Sequence, residues 1–159
     1  MLKQRNFCGR IGLLAAFVLA VLLSHSALAI ENFPLSTLTI SSAEKNHSFS
    51  VELATTAKQQ SQGLMFRRKM AAGSGMVFVY ARAQPISMWM KNTLIPLDMI
   101  FIGDSGKISH IVERTTPMSR TIISSGGPIR GVLELNGGTV SRLKLQVGDR
   151  VVLKDVFPV

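Results

Sequence analysis

The sequence predicts a single mainly-β domain, sandwich or barrel-like, with one or two short helices. Three observations predict it. From Gly75 onward the chain is a series of short apolar runs, "GMVFVY", "ISMWM", "LDMIFIG", "KISHIVE", "GVLELN" and "DRVVLKDV". Each is bounded by turn formers in "AAGSG", "GDSG", "SSGGP", "NGG" and "VGD", the pattern of consecutive strands. Upstream, "HSFSVELA" places Phe49, Val51 and Leu53 on one side and Ser48, Ser50 and Glu52 on the other, the period of a half-buried strand. Between these regions only "TTAKQQSQGLM" abandons that period.

Taken in order, residues 1–29 are read as a secretory signal. "MLKQRNFCGR" is basic, "IGLLAAFVLAVLL" is apolar, and "SHSALA" ends in Ala-x-Ala at Ala27 and Ala29, which is the order of a cleaved leader. The apolar run falls short of the roughly 20 residues of a membrane span, so cleavage after Ala29 is expected, with an uncleaved anchor as the alternative. The sole cysteine, Cys8, precedes the apolar run. The mature chain would therefore hold no disulfide and no thiol nucleophile, and its apolar core must carry the fold.

Residues 30–36 read as a lead-in, and 37–159 as one β-rich domain. "STLTI" reads as a short edge strand. Thr56 with Gln59 fits a capping box opening a helix that Gly63 ends or bends. Arg67, Arg68 and Lys69 follow, where cations suit the carbonyl end of a helix. Gly103 to Gly106 reads as a hairpin turn, and "GTVSRLKL" as a second short helix.

The formal net charge is +9 over the whole chain. Without Lys3, Arg5 and Arg10, 15 basic residues stand against 9 acidic ones, a net of +6. The basic residues are scattered, with one cluster, Arg67-Arg68-Lys69, and no stripe of basic and aromatic side chains, which together with export argues against nucleic acid. A solvated basic surface is the simpler reading, with weak preference for anionic partners or a membrane surface. A monomer is expected.

Catalytic templates mostly fail. There is no H-E-x-x-H, no G-x-S-x-G and no phosphate-cradling glycine loop, which leans against an enzyme, and no cofactor is implied. His110 shares a strand face with Ile108 and Val112, as a packed or rim histidine would. Asp98 and Glu134 could serve as an acid/base pair if the fold brings them together. Seven methionines remain after the leader; Met88 and Met90, two apart on a strand, could offer soft sulfur to Cu(I), although methionine is also a common gap-filler in cores.

One stretch stands apart. "MWMKNTLIPLDMIFI" presses Lys91, Asn92, Thr93 and Asp98 between apolar runs, beside Trp89, the only tryptophan. Four polar types there cost desolvation unless something satisfies them. Either they brace the fold, with Lys91 and Asp98 as a partly buried ion pair, or they form a ligand rim on a rigid β-scaffold.

"GLMFR" at residues 63–67, "GMVFVY" at 75–80, "MWMKNTLIPLDMIFI" at 88–102, "VLELNGG" at 132–138 and "VGDRV" at 147–151 occur in that order. Together they resemble the family known as domain of unknown function 192, across about residues 38 to 157. Met88 stands where the family usually has an aromatic, and Gly137 where it usually has alanine. The resemblance implies a single mainly-β domain, often exported in bacteria, and favours a periplasmic location; it implies no reaction, because the family has no agreed activity. The recurring positions it carries over are Gly63, Met65, Arg67, Gly75, Met76, Trp89, Met90, Lys91, Asn92, Thr93, Pro96, Leu97, Asp98, Glu134, Gly148 and Asp149. The expected site joins Arg67, Trp89, Lys91, Asn92, Thr93, Asp98 and Glu134 around a small-molecule or protein ligand. The expected function is a binding or accessory module. The alternatives are a metal-independent hydrolase or lyase working through Asp98 or Glu134, and a methionine-based Cu(I) binder.

Overall fold

The computed structural model describes residues 31–157; the leader and its cleavage site lie outside the described residues. Seven strands form one sheet: β1 (Leu35–Ser41), β2 (Asn46–Ala54), β3 (Ser74–Met88), β4 (Leu97–Ile102), β5 (Ile108–Val112), β6 (Ile123–Asn136) and β7 (Arg150–Leu153), with helices α1 (Ala57–Gln62) and α2 (Thr139–Leu143). The spatial order is β5-β4-β6-β3-β2-β1-β7. All neighbours are antiparallel except β2 and β3, which run parallel because the α1 connection carries the chain back before β3 begins.

The sheet curls until its two edges meet. Lys107 bridges Arg150, and Ile108 donates its N–H to the Asp149 carbonyl at 2.9 Å while Val151 donates to that of Gly106 at 2.7 Å. Of the two expected architectures it is the barrel-like one. Its interior holds Leu38, Ile40, Val51, Val77, Ile100, Leu133, Val151 and Phe157. A second apolar cluster, with Leu64, Met76, Phe78, Met90, Leu97, Met99, Phe101 and Val132, covers the outer face of β3, β4 and β6. β4 is thus sandwiched between two cores, and all six of its residues are buried, including the one carboxylate.

Local chemistry explains the helices. Thr56 accepts the Gln59 N–H while the Gln59 side chain accepts that of Thr56, completing the expected capping box, and Gly63 ends α1 with φ 47°. The hairpin turn at Gly103–Gly106 also forms, joining β4 to β5.

Several expectations change. "STLTI" is not an edge strand: β1 pairs with β2 on one side and β7 on the other. The lead-in is tied down, with Phe33 buried and the Asn32 carbonyl accepting from Gln59 Nε2 at 2.8 Å. "GMVFVY" and "ISMWM" are one long strand, and "SSGGP" is no turn but part of β6, paired with that strand through bulges. Trp89 and Met90 lie just past the end of β3.

Candidate functional site

Register decides which groups meet. On one rung, Met76 of β3 faces Glu134 of β6, which faces Met99 of β4. One rung on, Asp98 faces Leu135. Successive strand residues point to opposite sides, so Glu134 belongs to the outer face and Asp98 to the interior. The acid/base pair of Asp98 and Glu134 is not assembled.

Asp98 is a brace, though not with the expected partner. It is 0% exposed and accepts three backbone N–H groups, from Arg114 at 2.8 Å, Gly138 at 2.9 Å and Val140 at 2.8 Å. Two of these donors open α2, whose N-cap residue is Gly138 at φ 90°, a left-handed conformation that suits glycine. A carboxylate reaching from another strand therefore does the capping a local side chain would normally do. The Lys91–Asp98 ion pair does not form: Lys91 is exposed and makes no ion pair among the described residues.

Glu134 is the opposite case. It is 4% exposed, and no hydrogen bond reaches its carboxyl among the described residues. Burial raises its pKa to about 8, so at neutral pH the group is held mostly protonated, because an unpaired charge there would be costly. It lies in a pocket of about 350 Å³ lined also by Gln60, Leu64, Met65, Phe78, Tyr80, Ile86, Met88, Trp89 and Thr93. The size is at the lower end of small-molecule sites, about 300–1,000 Å³. Among the described residues no Lys, Arg or Asp lines it.

Its polar lining is Gln60, Ser61, Gln62, Tyr80, Ser87, Thr93 and Glu134. The Tyr80 hydroxyl is pushed up to about 12, first by burial and then by the charge of Glu134; among the described residues its hydrogen-bond partner is Met88 Sδ at 4.0 Å. Thr93 is buried, with its N–H on the Met90 carbonyl and its carbonyl accepting from Met118, both at 3.0 Å; its hydroxyl takes no protein partner among the described residues. Gln60 anchors its Nε2 on the Val79 carbonyl at 2.9 Å. The pocket thus sets a neutral carboxyl, a phenol, three hydroxyls from Ser61, Ser87 and Thr93, and the amides of Gln60 and Gln62 among apolar and aromatic side chains.

Of the expected site residues, the fold brings Trp89, Thr93 and Glu134 to this pocket. Arg67 is engaged elsewhere, in a bidentate pair with Glu52 and over the Phe33 ring. Asn92, at φ 58°, gives its carbonyl to the Phe66 N–H at 2.8 Å and holds a loop rather than lining the pocket. The two copper-candidate methionines part company: Met88 lines the pocket, whereas Met90 is buried with Sδ 3.2 Å from Thr115 Oγ1. His110 stacks on Phe101 with centroids 5.4 Å apart, a rim histidine. Sequence reasoning missed Tyr80 and Gln60; the only signal for Tyr80 was its place as the sole tyrosine, at the end of "GMVFVY".

Among solved structures, a protein from Sinorhizobium meliloti 1021 named provisionally as a transcription regulator superposes with a TM-score of 0.76 at 43% identity, over 78% of this chain and 97% of that one. A protein of unknown function from Novosphingobium aromaticivorans DSM 12444 does so with a TM-score of 0.75 at 35% identity, over 78% and 89%. No curated protein matches. The profile of DUF192, described as "Uncharacterized ACR", matches residues 38–153. The chain belongs to the DUF192 family.

Proposed function

We propose that this chain is an exported binding module whose pocket takes a small organic ligand with an apolar body and a neutral or cationic polar end. The observation that carries the reading is Glu134, a buried carboxyl without a protein partner in a pocket with Tyr80, Thr93 and Trp89. The 4% exposed carboxyl opens only on this pocket, so a ligand donor or cation entering there can supply the partner that the protein does not. The absence of any lining Lys or Arg disfavours an anionic ligand. Trp89 at the rim offers an aromatic face to an apolar surface or a cation.

A second reading is favoured by one observation only. A carboxyl titrating near 8 is a competent general acid near neutrality, so a lyase or hydrolase working through Glu134 retains half of its expected pair. With Asp98 consumed by three amides, it lacks the second carboxylate.

A thermal-shift screen of neutral, cationic and anionic compounds, followed by titration of the hits, tests the proposal. The expected result is neutral or cationic hits whose affinity falls at least about tenfold in Glu134→Gln and Thr93→Val. Hits that are all anionic, or that bind both variants as well as the parent, would refute it. Turnover of a hit that disappears in Glu134→Gln would establish the second reading instead.

A further inference from the structure

Five of the seven large apolar side chains left exposed among the described residues sit on three loops: Phe66, Trp89, Leu94, Met118 and Ile122, between 41% and 66% exposed. The loops are stitched side by side. The Phe66 N–H reaches the Asn92 carbonyl at 2.8 Å, the Met118 N–H that of Thr93 at 3.0 Å, and the Met90 N–H that of Ser119 at 3.0 Å. Ile123 pairs with Met88, which sets Ile122 beside Trp89. Phe66, Asn92 and Met118 hold left-handed φ values of 65°, 58° and 62°, unusual for bulky side chains and sustained by these backbone ties.

The same loops carry the exposed cations Arg68, Lys69, Lys91 and Arg120. None of the four forms an ion pair among the described residues. Residues 63–70, 88–96 and 115–123 contain no Asp or Glu. Of the nearest acids in sequence or pairing, Asp98 is buried on three backbone amides, and Glu52 and Glu113 are matched by Arg67 and Arg114. In the sequence only Arg68 and Lys69 stand together; the backbone ties between the loops bring Lys91 and Arg120 to the same face.

We propose that this loop face docks peripherally on an anionic phospholipid bilayer. Exposed Trp, Phe, Leu, Ile and Met set among Lys and Arg match the two attractions of a bilayer interface, apolar insertion and headgroup charge. The exposed side chains sit on loop tips around the pocket mouth rather than along an open sheet edge, so the face offers no template for a peptide strand, whereas a fluid interface needs none. No helix among the described residues is long and apolar enough to cross a membrane, so the attachment is to the surface.

Trp89 is the single tryptophan and stands where this face meets the pocket rim, so its emission follows the face even in the full chain. The full-length protein is titrated with phosphatidylcholine vesicles, with and without phosphatidylglycerol, while tryptophan emission is followed. The expected result is a blue shift on the anionic vesicles, quenched by brominated acyl chains and lost at high salt, with little change on phosphatidylcholine alone. Phe66→Asn with Ile122→Ser removes apolar contacts, the asparagine suiting the left-handed backbone. Lys91→Glu with Arg120→Glu reverses charge. Each pair should weaken partitioning about tenfold or more. Emission unmoved by anionic vesicles overturns the proposal, even if the chain sediments with them through residues 1–30. So does full binding by both variant pairs, or concentration-dependent self-association that the same substitutions abolish.

Discussion

Asp98 and Glu134 are both buried carboxyl groups, one rung apart on neighbouring strands, yet they face opposite sides of the sheet and have opposite surroundings. Asp98 is enclosed by three amide donors and closes the interior. Glu134 has no donor and stands in a pocket. The first carboxylate strengthens the fold; the second is retained at a cost in stability, the usual mark of a functional group. Burial alone therefore does not identify a site. What distinguishes the two is whether the protein supplies the partners.

The contrast is sharpest under truncation. Asp98→Ala leaves the amides of Arg114, Gly138 and Val140 without an acceptor, at about 1–3 kcal/mol each when they stay dry. The expected loss is about 3–6 kcal/mol by chemical denaturation, with α2 undocked; a loss under about 1 kcal/mol would break the distinction. Asp98→Asn, which keeps one acceptor oxygen, should fall between the variant and the parent.

Glu134 should respond in the other direction. Its pKa in the fold is about 8 against an ordinary 4.5, so between those values the folded state holds a proton that the unfolded chain has released. Its favourable contribution is complete below about pH 4.5 and is lost as pH rises through about 8. Glu134→Gln should remove that slope and make the protein roughly 2–4 kcal/mol more stable than the parent at pH 9, with little difference at pH 4.5. Unfolding free energy measured for both proteins across that range checks the sign.

Smaller effects separate the pocket from its surroundings. Tyr80→Phe and Thr93→Val remove hydroxyls that have no strong protein partner, so stability should change by less than about 1 kcal/mol while affinity for a screened ligand drops about tenfold. Lys91→Ala, exposed and unpaired, should move stability by no more than about 0.5 kcal/mol.

Much of the architecture was legible from local patterns. The Thr56–Gln59 capping box, the alternation of "HSFSVELA" and the Gly103–Gly106 hairpin each rest on neighbours in sequence, so local chemistry sufficed. β3 and β6 were harder, because "ARAQ" and "SSGGP" look like breaks until their bulged pairing satisfies the backbone. The site was half legible. Trp89, Thr93 and Glu134 stood out as polar or aromatic groups beside apolar runs. Which side of the sheet each would face depends on long-range register, and no short stretch encodes it. For the same reason Asp98 looked like a partner for Lys91 or Glu134, when its partners are amides 16 to 42 residues away. Gln60 and Tyr80 enter the pocket only through the crossover from β2 to β3.

The central claim is that Glu134 remains uncharged and unpartnered in the fold, available to a ligand. Carbon NMR of its side-chain carboxyl, assigned by comparison with Glu134→Gln and followed through a pH titration of the ligand-free protein, tests this most directly. The account predicts a midpoint near 8. A midpoint at or below the ordinary 4.5 would mean that Glu134 is ionised and paired like Asp98, and would contradict it.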